Sequence, residues 1–91
     1  MELRQLKYFV AVAEEEHFSR AALRVGIEQS PLSRAIHALE RDIGVLLISR
    51  SARGSRPTAA GVIFLQHARS ILESVEAATL ETRAVASMQL G

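Results

Sequence analysis

The stretch that decides the fold is FSRAALRVGIEQSPLSRAIHALERDIG, residues 18–44 of a 91-residue chain. Two helix-like segments flank Gly26. In the first, Ser19 is a good N-cap, Ala21, Ala22, Leu23 and Val25 follow, and Gly26 suits the left-handed conformation that closes a helix. In the second, Ser30 caps and Pro31 takes the first helical position, where its missing N–H costs nothing. Leu32, Ala35, Ile36, Leu39 and Ile43 recur on one helix face, and Gly44 ends it. The opposite face presents Ser30, Ser33, Arg34, His37 and Arg41, with no acid until Glu40. Two helices that cross closely need a small residue at the contact, a tight turn, and apolar residues after it. Ala22, Gly26, Ile27, Leu32 and Ile36 meet those needs, so residues 18–37 read as a helix-turn-helix.

Upstream, Leu3, Leu6, Phe9, Val10 and Ala13 mark one face of a helix over 3–15. Glu14, Glu15 and Glu16 stand where carboxylates oppose the helix dipole, so they help to end it and lie in solvent. Downstream, Val45-Leu46-Leu47-Ile48 reads as a short strand, Ser51–Ser55 as a turn, and Arg56-Pro57 as a brief return strand held to an edge by proline. The resulting hairpin, residues 45–57, carries Arg50, Arg53 and Arg56. A hairpin directly after a helix-turn-helix makes the winged version, within a unit of residues 1–58. Thr58 then caps a helix over 59–91 that no proline interrupts. Phe64, Ile71, Ala78 and Val85 recur at seven, as do Leu65, Leu72, Thr79 and Ala86, and Ala68, Val75 and Thr82. About 30 helical residues reach about 45 Å, too far for a small core to cover. Either the far half packs on another subunit, the reading favoured here, or the helix folds back on its own core. The dimer stripe on that reading is Phe64, Leu65, Ala68, Ile71, Leu72, Val75, Ala78, Thr82 and Val85. Its small distal residues allow close approach in an antiparallel pair.

Composition narrows the function. Hydrophobic content of 48% excludes a disordered tail. With no cysteine there is no disulfide, no Cys-bearing zinc site and no thiol nucleophile, which suits a reducing, cytoplasmic setting. No apolar run is long enough to span a membrane, and the interleaved charges of MELRQLKYFV are unlike a signal peptide. Net charge is only +1, but it is unevenly spread. Residues 20–56 hold seven arginines against Glu28, Glu40 and Asp42, net +4, while the flanks are net −2 and −1. Arginine's planar fork suits phosphates and guanine edges, so the middle of the chain is where a polyanion would bind.

Residues 1–90 resemble the N-terminal region of LysR-type transcriptional regulators. The matching stretches are LRQLKYFVAVAEE, FSRAALRVGIEQSPLSRAIHALERDIG, LLISRSARG and RPTAAG. The resemblance implies a mainly α, winged helix-turn-helix fold of three helices and a hairpin, followed by a linker helix that pairs two subunits. It implies a third helix that reads the major groove of double-stranded DNA and a wing on the minor groove or backbone. It also implies an inverted-repeat operator, a homodimer or tetramer, and a separate domain beyond the linker that binds a small-molecule effector. Gln29, Ser30, Pro31, Ser33 and Arg34 match the family's recognition segment, with His37 on the same face, and Arg53 matches the wing arginine. Ser19, Arg20, Arg50 and Arg56 are the phosphate candidates. Three positions depart from the family pattern. Ile48 and Ser49 stand where Phe and an acid are usual, and Pro57 stands where Leu is usual. Gln29-Ser30-Pro31 and the opening MELRQLKYFVAV are similar to the branch that controls breakdown of aromatic compounds.

Three rival readings come from other classes. An enzyme is not expected. His17, His37 and His67 lack paired ligand spacing, Ser33 and His37 lack a third group, and the five glycines make no phosphate loop, so no metal or cofactor is implied. RNA binding usually needs an aromatic platform, and four aromatics, three of them core-like, do not make one. A helical dimerisation or adaptor module without DNA binding is the main alternative, and the charge of residues 20–56 argues against it.

Overall fold

The computed structural model of the chain describes residues 1–90, the side chain of Leu90 apart. The order is α1 (Leu3–Glu15), α2 (Phe18–Val25), α3 (Gln29–Ile43), β1 (Ile48–Ser51), β2 (Gly54–Pro57) and α4 (Ala59–Leu90). Helix α1 is the hub. Its Leu6, Phe9, Val10, Val12 and Ala13 are buried against Ala21 and Ala22 of α2, Leu32, Ile36 and Leu39 of α3, and Ala68 of α4. Burying a Leu, Ile or Phe side chain is worth about 1.5–3 kcal/mol, so this cluster is the main source of stability. Gly26, at φ 76°, closes α2 in the left-handed conformation, and both its N–H and that of Ile27 donate to Ala22 O. That tight stop lets α3 start three residues later and cross α2.

The helix starts differ from expectation. Ser19 is not the cap of α2; the extended residue there is His17, and Ser19 lies exposed in the first turn. Ser30 is not the cap of α3; Glu28 is, with φ −73° and ψ 158°. Both caps have extended backbone and neither makes a side-chain hydrogen bond. Pro31 is therefore the third helical residue. Its missing N–H still costs nothing, since Leu32 is the first to bond back, to Glu28 O at 3.3 Å. The shift brings Gln29 and Ser30 onto the helix.

The first strand also lies later than the expected Val45–Ile48: β1 runs Ile48–Ser51. The reason is Glu40, buried at 6% exposure, whose Oε2 accepts from the N–H groups of Leu47 (2.8 Å) and Ile48 (3.2 Å). A side chain thus takes the donors that a strand partner would have used, leaving Val45 and Leu46 exposed. Strands β1 and β2 pair antiparallel in the register Ile48–Pro57, Ser49–Arg56, Arg50–Ser55 and Ser51–Gly54, with Pro57 at the end of the ladder.

Thr58 caps α4 as expected, its Oγ1 accepting from Gly61 N–H at 3.0 Å. The same hydroxyl donates to Leu46 O at 2.8 Å, and Thr58 N–H donates to Leu47 O at 2.9 Å, fixing the helix start beside β1. Phe64 meets Phe9 edge to face with ring centroids 5.3 Å apart. Ala68 is fully buried within the chain, so it has no surface for a partner and leaves the dimer stripe; a small residue is needed there because α4 lies close on α1. Phe64, Leu65 and Leu72 also pack on the core. Residues 73–89 are all exposed, so the helix does not fold back, and it stretches the molecule to 56 × 25 × 18 Å. No helix among the described residues is long and apolar enough to cross a membrane.

Candidate nucleic-acid interface

Helix α3 lays Gln29, Ser30, Ser33, Arg34 and His37 along one side through spacings of one, three and four residues. Gln29, Ser30, Arg34 and His37 are exposed, while Pro31 and Ser33 are half-buried. The structure brings Arg50 to the same face from β1. Its Nη1 donates to Ser33 Oγ at 2.9 Å, its Nη2 lies 3.3 Å from His37 Nε2, and its Cζ sits 4.1 Å over the Phe18 ring. A guanidinium has no acceptor, so His37 Nε2 accepts and Nδ1 carries the hydrogen. Nδ1 lies 3.4 Å from Glu40 Oε1. Glu40 thus holds the wing root through Oε2 and faces His37 of its own helix through Oε1.

The wing is held from beneath. Ser55 N–H donates to Glu16 O at 2.8 Å, and Ser55 is buried. Gly54, at φ 131°, lies so close to the α1–α2 turn that a Cβ there would sit 2.8 Å from Glu16 O and 3.2 Å from His17 Cε1. At the tip, Arg53 N–H donates to Ser51 Oγ at 3.3 Å and the Arg53 side chain is exposed. Arg56 lies 3.4 Å from the Glu16 carboxylate, exposed on both sides. Arg20, Arg53 and Arg56 line a shallow concavity with Glu15, Glu16 and His17. Ser19 and Arg20 are both exposed at the start of α2.

The arginines divide into two sets. Arg24 bonds Glu14 (2.7 Å) and Glu15 (3.1 Å), and Arg69 bonds Glu14 (2.6 Å), so these two serve the scaffold. Hydrogen bonds from Arg69 and then Arg24 hold the Glu14 carboxyl below its ordinary range, against a smaller opposing effect of burial. Among the described residues, Arg20, Arg34, Arg41, Arg50, Arg53 and Arg83 have no carboxylate within ion-pair distance, and all of these but Arg83 of α4 lie on α2, α3 or the wing. Uncompensated charge therefore collects on α3, the start of α2 and the wing. No group of three or more His, Asp or Glu able to hold a metal occurs among the described residues. Sequence reasoning missed Glu40, Phe18 as the seat of Arg50, and the buried Ser55. The available signal for Glu40 was a single acid on an otherwise acid-free helix face.

Comparison with known proteins agrees with this arrangement. The sequence profile described as "Bacterial regulatory helix-turn-helix protein, lysR family" matches residues 3–62. Across its full length the chain is 53% identical to the HTH-type transcriptional regulator TfdT of Cupriavidus pinatubonensis (strain JMP 134 / LMG 1197), covering 40% of that protein. It is 47% identical to the HTH-type transcriptional regulator ClcR of Pseudomonas putida, covering 31% of it. The chain thus spans well under half the length of these relatives. Two solved structures superpose closely. A complex of the CbnR DNA-binding domain with DNA gives a TM-score of 0.91 at 50% identity, covering 94% of this chain and 99% of that one. A complex of the BenM DNA-binding domain with catB site 1 DNA gives 0.92 at 44% identity, covering 96% and 98%. With its profile match, its full-length identity to these regulators and its fold in agreement, the chain belongs to the LysR family of bacterial helix-turn-helix regulatory proteins.

Proposed function

We propose that this chain binds double-stranded DNA sequence-specifically, as the DNA-binding part of a transcriptional regulator. The observation that carries the reading is the first half of α3, where Gln29, Ser30, Ser33 and Arg34 share an acid-free face beside an arginine-tipped wing. A recognition helix places its N-terminal residues on base edges in the major groove. There Gln29 and Arg34 can make paired bonds to bases, and Pro31 can offer apolar contact to a thymine methyl. Arg53 enters the adjacent minor groove, and Ser19, Arg20 and Arg56 meet phosphates. The DNA in both neighbouring complexes supports the reading.

Helix α4 pairs two subunits. Leu3, Leu72, Val75 and Leu80 line an apolar groove between α1 and α4, edged by Lys7, Glu76 and Arg83. Ile71, Val75, Ala78, Thr82 and Val85 remain on the exposed part of the stripe. An antiparallel pair puts two recognition helices on one face of the dimer, which matches an inverted repeat.

The test is a salt titration of binding to arbitrary duplex DNA and to a duplex selected from a randomised library. Affinity is expected to fall linearly in log-log form as salt rises. Absence of binding at every salt concentration would favour a dimerisation module. Arg34→Ala should cost about 1–3 kcal/mol on the selected duplex and much less on random DNA. Equal losses on both would make Arg34 a phosphate contact.

A further inference from the structure

We propose that Arg50 is a positioning residue that sets the hydrogen-bonding polarity of the reading face, not one of the phosphate contacts. The proposal rests on the reading of α3 as the base-contacting helix. A serine hydroxyl can donate or accept, so left alone Ser33 would suit almost any polar base edge. Here it is not left alone. Arg50 Nη1 donates to Ser33 Oγ at 2.9 Å, and among the described residues Ser33 donates to no acceptor of the chain. With one of its two lone pairs taken by Arg50 and its hydrogen unspent, the hydroxyl is biased toward donating to a base. Ser33 then favours a base edge that offers an acceptor, such as purine N7, guanine O6 or thymine O4, over the amino donor of cytosine or adenine.

The guanidinium is itself fixed on three sides. It lies over the Phe18 ring at 4.1 Å, bonds Ser33, and donates to His37 Nε2 at 3.3 Å. His37 is held in turn, its Nδ1 facing Glu40 Oε1 at 3.4 Å while Glu40 Oε2 receives two backbone N–H groups of the wing root. Both ring nitrogens of His37 are therefore engaged inside the chain, which removes it from the base-reading set. Ser33 and His37 take two of its five N–H groups and Phe18 covers one of its faces, which holds the group against α3. Lysine could not replace it, because one ammonium cannot serve both partners with a planar fork.

Base-resolved binding selection, together with the slope of log affinity against log salt, tests this. Ser33→Ala first identifies the base pair whose preference depends on Ser33. Arg50→Ala is expected to relax the preference at that same base pair about five- to tenfold, the worth of one hydrogen bond. It should leave the salt slope unchanged, and the double variant should relax the preference no further. A slope lowered by about one, with equal loss on all sequences, would make Arg50 a phosphate contact and overturn the proposal. Should Arg50→Ala fail to fold, Arg50→Lys carries the test. It keeps the charge and is expected to lose the preference at constant slope; a retained preference overturns the proposal. Arg34→Ala is the control. If it loses affinity selectively on the selected duplex while Arg50→Ala loses it uniformly, only the positioning role falls. If Arg34→Ala is uniform too, the base-reading role of α3 falls with it.

Discussion

Arg53 stands at the tip of the wing, exposed and without a carboxylate partner among the described residues. A lone arginine on a narrow protrusion suits a narrow minor groove, whose potential is most negative in A·T tracts. Arg53→Ala should therefore lose most affinity on operators with A·T-rich flanks. A loss independent of flank composition, measured by competition binding, would remove the minor-groove assignment. At Gly61 the constraint is steric. A Cβ there would collide with Leu47 O and lie 3.3 Å from Pro57 Cβ, because α4 begins directly against the wing root. Gly61→Ala should destabilise the fold by about 1–3 kcal/mol, read by thermal melting. Helical spacing and polar type made the exposed face of Ser30, Arg34 and His37 legible, and the family resemblance added Gln29, Pro31 and Arg53 as candidates. What a polar side chain does inside the chain was not legible. Arg50 read as a phosphate candidate and Glu40 as an acid without a role, because their partners, Ser33, His37 and the Leu47 and Ile48 N–H groups, are brought to them only by the tertiary fold.

At the scale of elements, Glu14 ties three helices together. From the last turn of α1 it accepts from Arg24 of α2 and Arg69 of α4, so it fixes the angle of the long helix against the globular part. These bonds favour the ionised carboxylate in the folded state, so its pKa lies below the ordinary 4.5. The contribution to stability is present above that value and is lost as pH falls through the lower folded one. Glu14→Gln should lower the melting temperature at neutral pH, and the gap to wild type should close as the solution is acidified below the usual carboxylate range. A gap that is constant with pH would show that packing, not charge, is what the substitution removes. The sequence read Glu14, Glu15 and Glu16 as solvated helix-ending residues. The helix does end there, but its acids are the counter-charges of Arg24, Arg69 and Arg56. The displaced β1 has the same origin. Apolar β-branched content placed the strand at Val45–Ile48, and a buried carboxylate from α3 moved it onward.

The whole molecule is a small reading head on a projecting helical arm. Periodicity made the arm visible, since a seven-residue recurrence beyond the reach of the core has to be covered by something else. It could not divide the stripe. Ala68 goes to the chain's own core, Phe64, Leu65 and Leu72 lie at its edge, and Val75 is 40% exposed. Val75→Glu should therefore leave the fold of one chain intact, weaken the dimer by placing a charge in an apolar contact, and lower operator affinity without touching a DNA-facing residue. Sedimentation and melting together check this, and a variant that unfolds instead would place Val75 in the core.

Hydroxyl-radical footprinting of the chain on its selected duplex tests the central claim most directly. Two protected segments related by a two-fold axis are expected on one face of the duplex, their centres a whole number of helical turns apart, at about 34–36 Å per turn. A single protected segment at saturating concentration would contradict the paired reading heads, and no protection at all would contradict the proposed function.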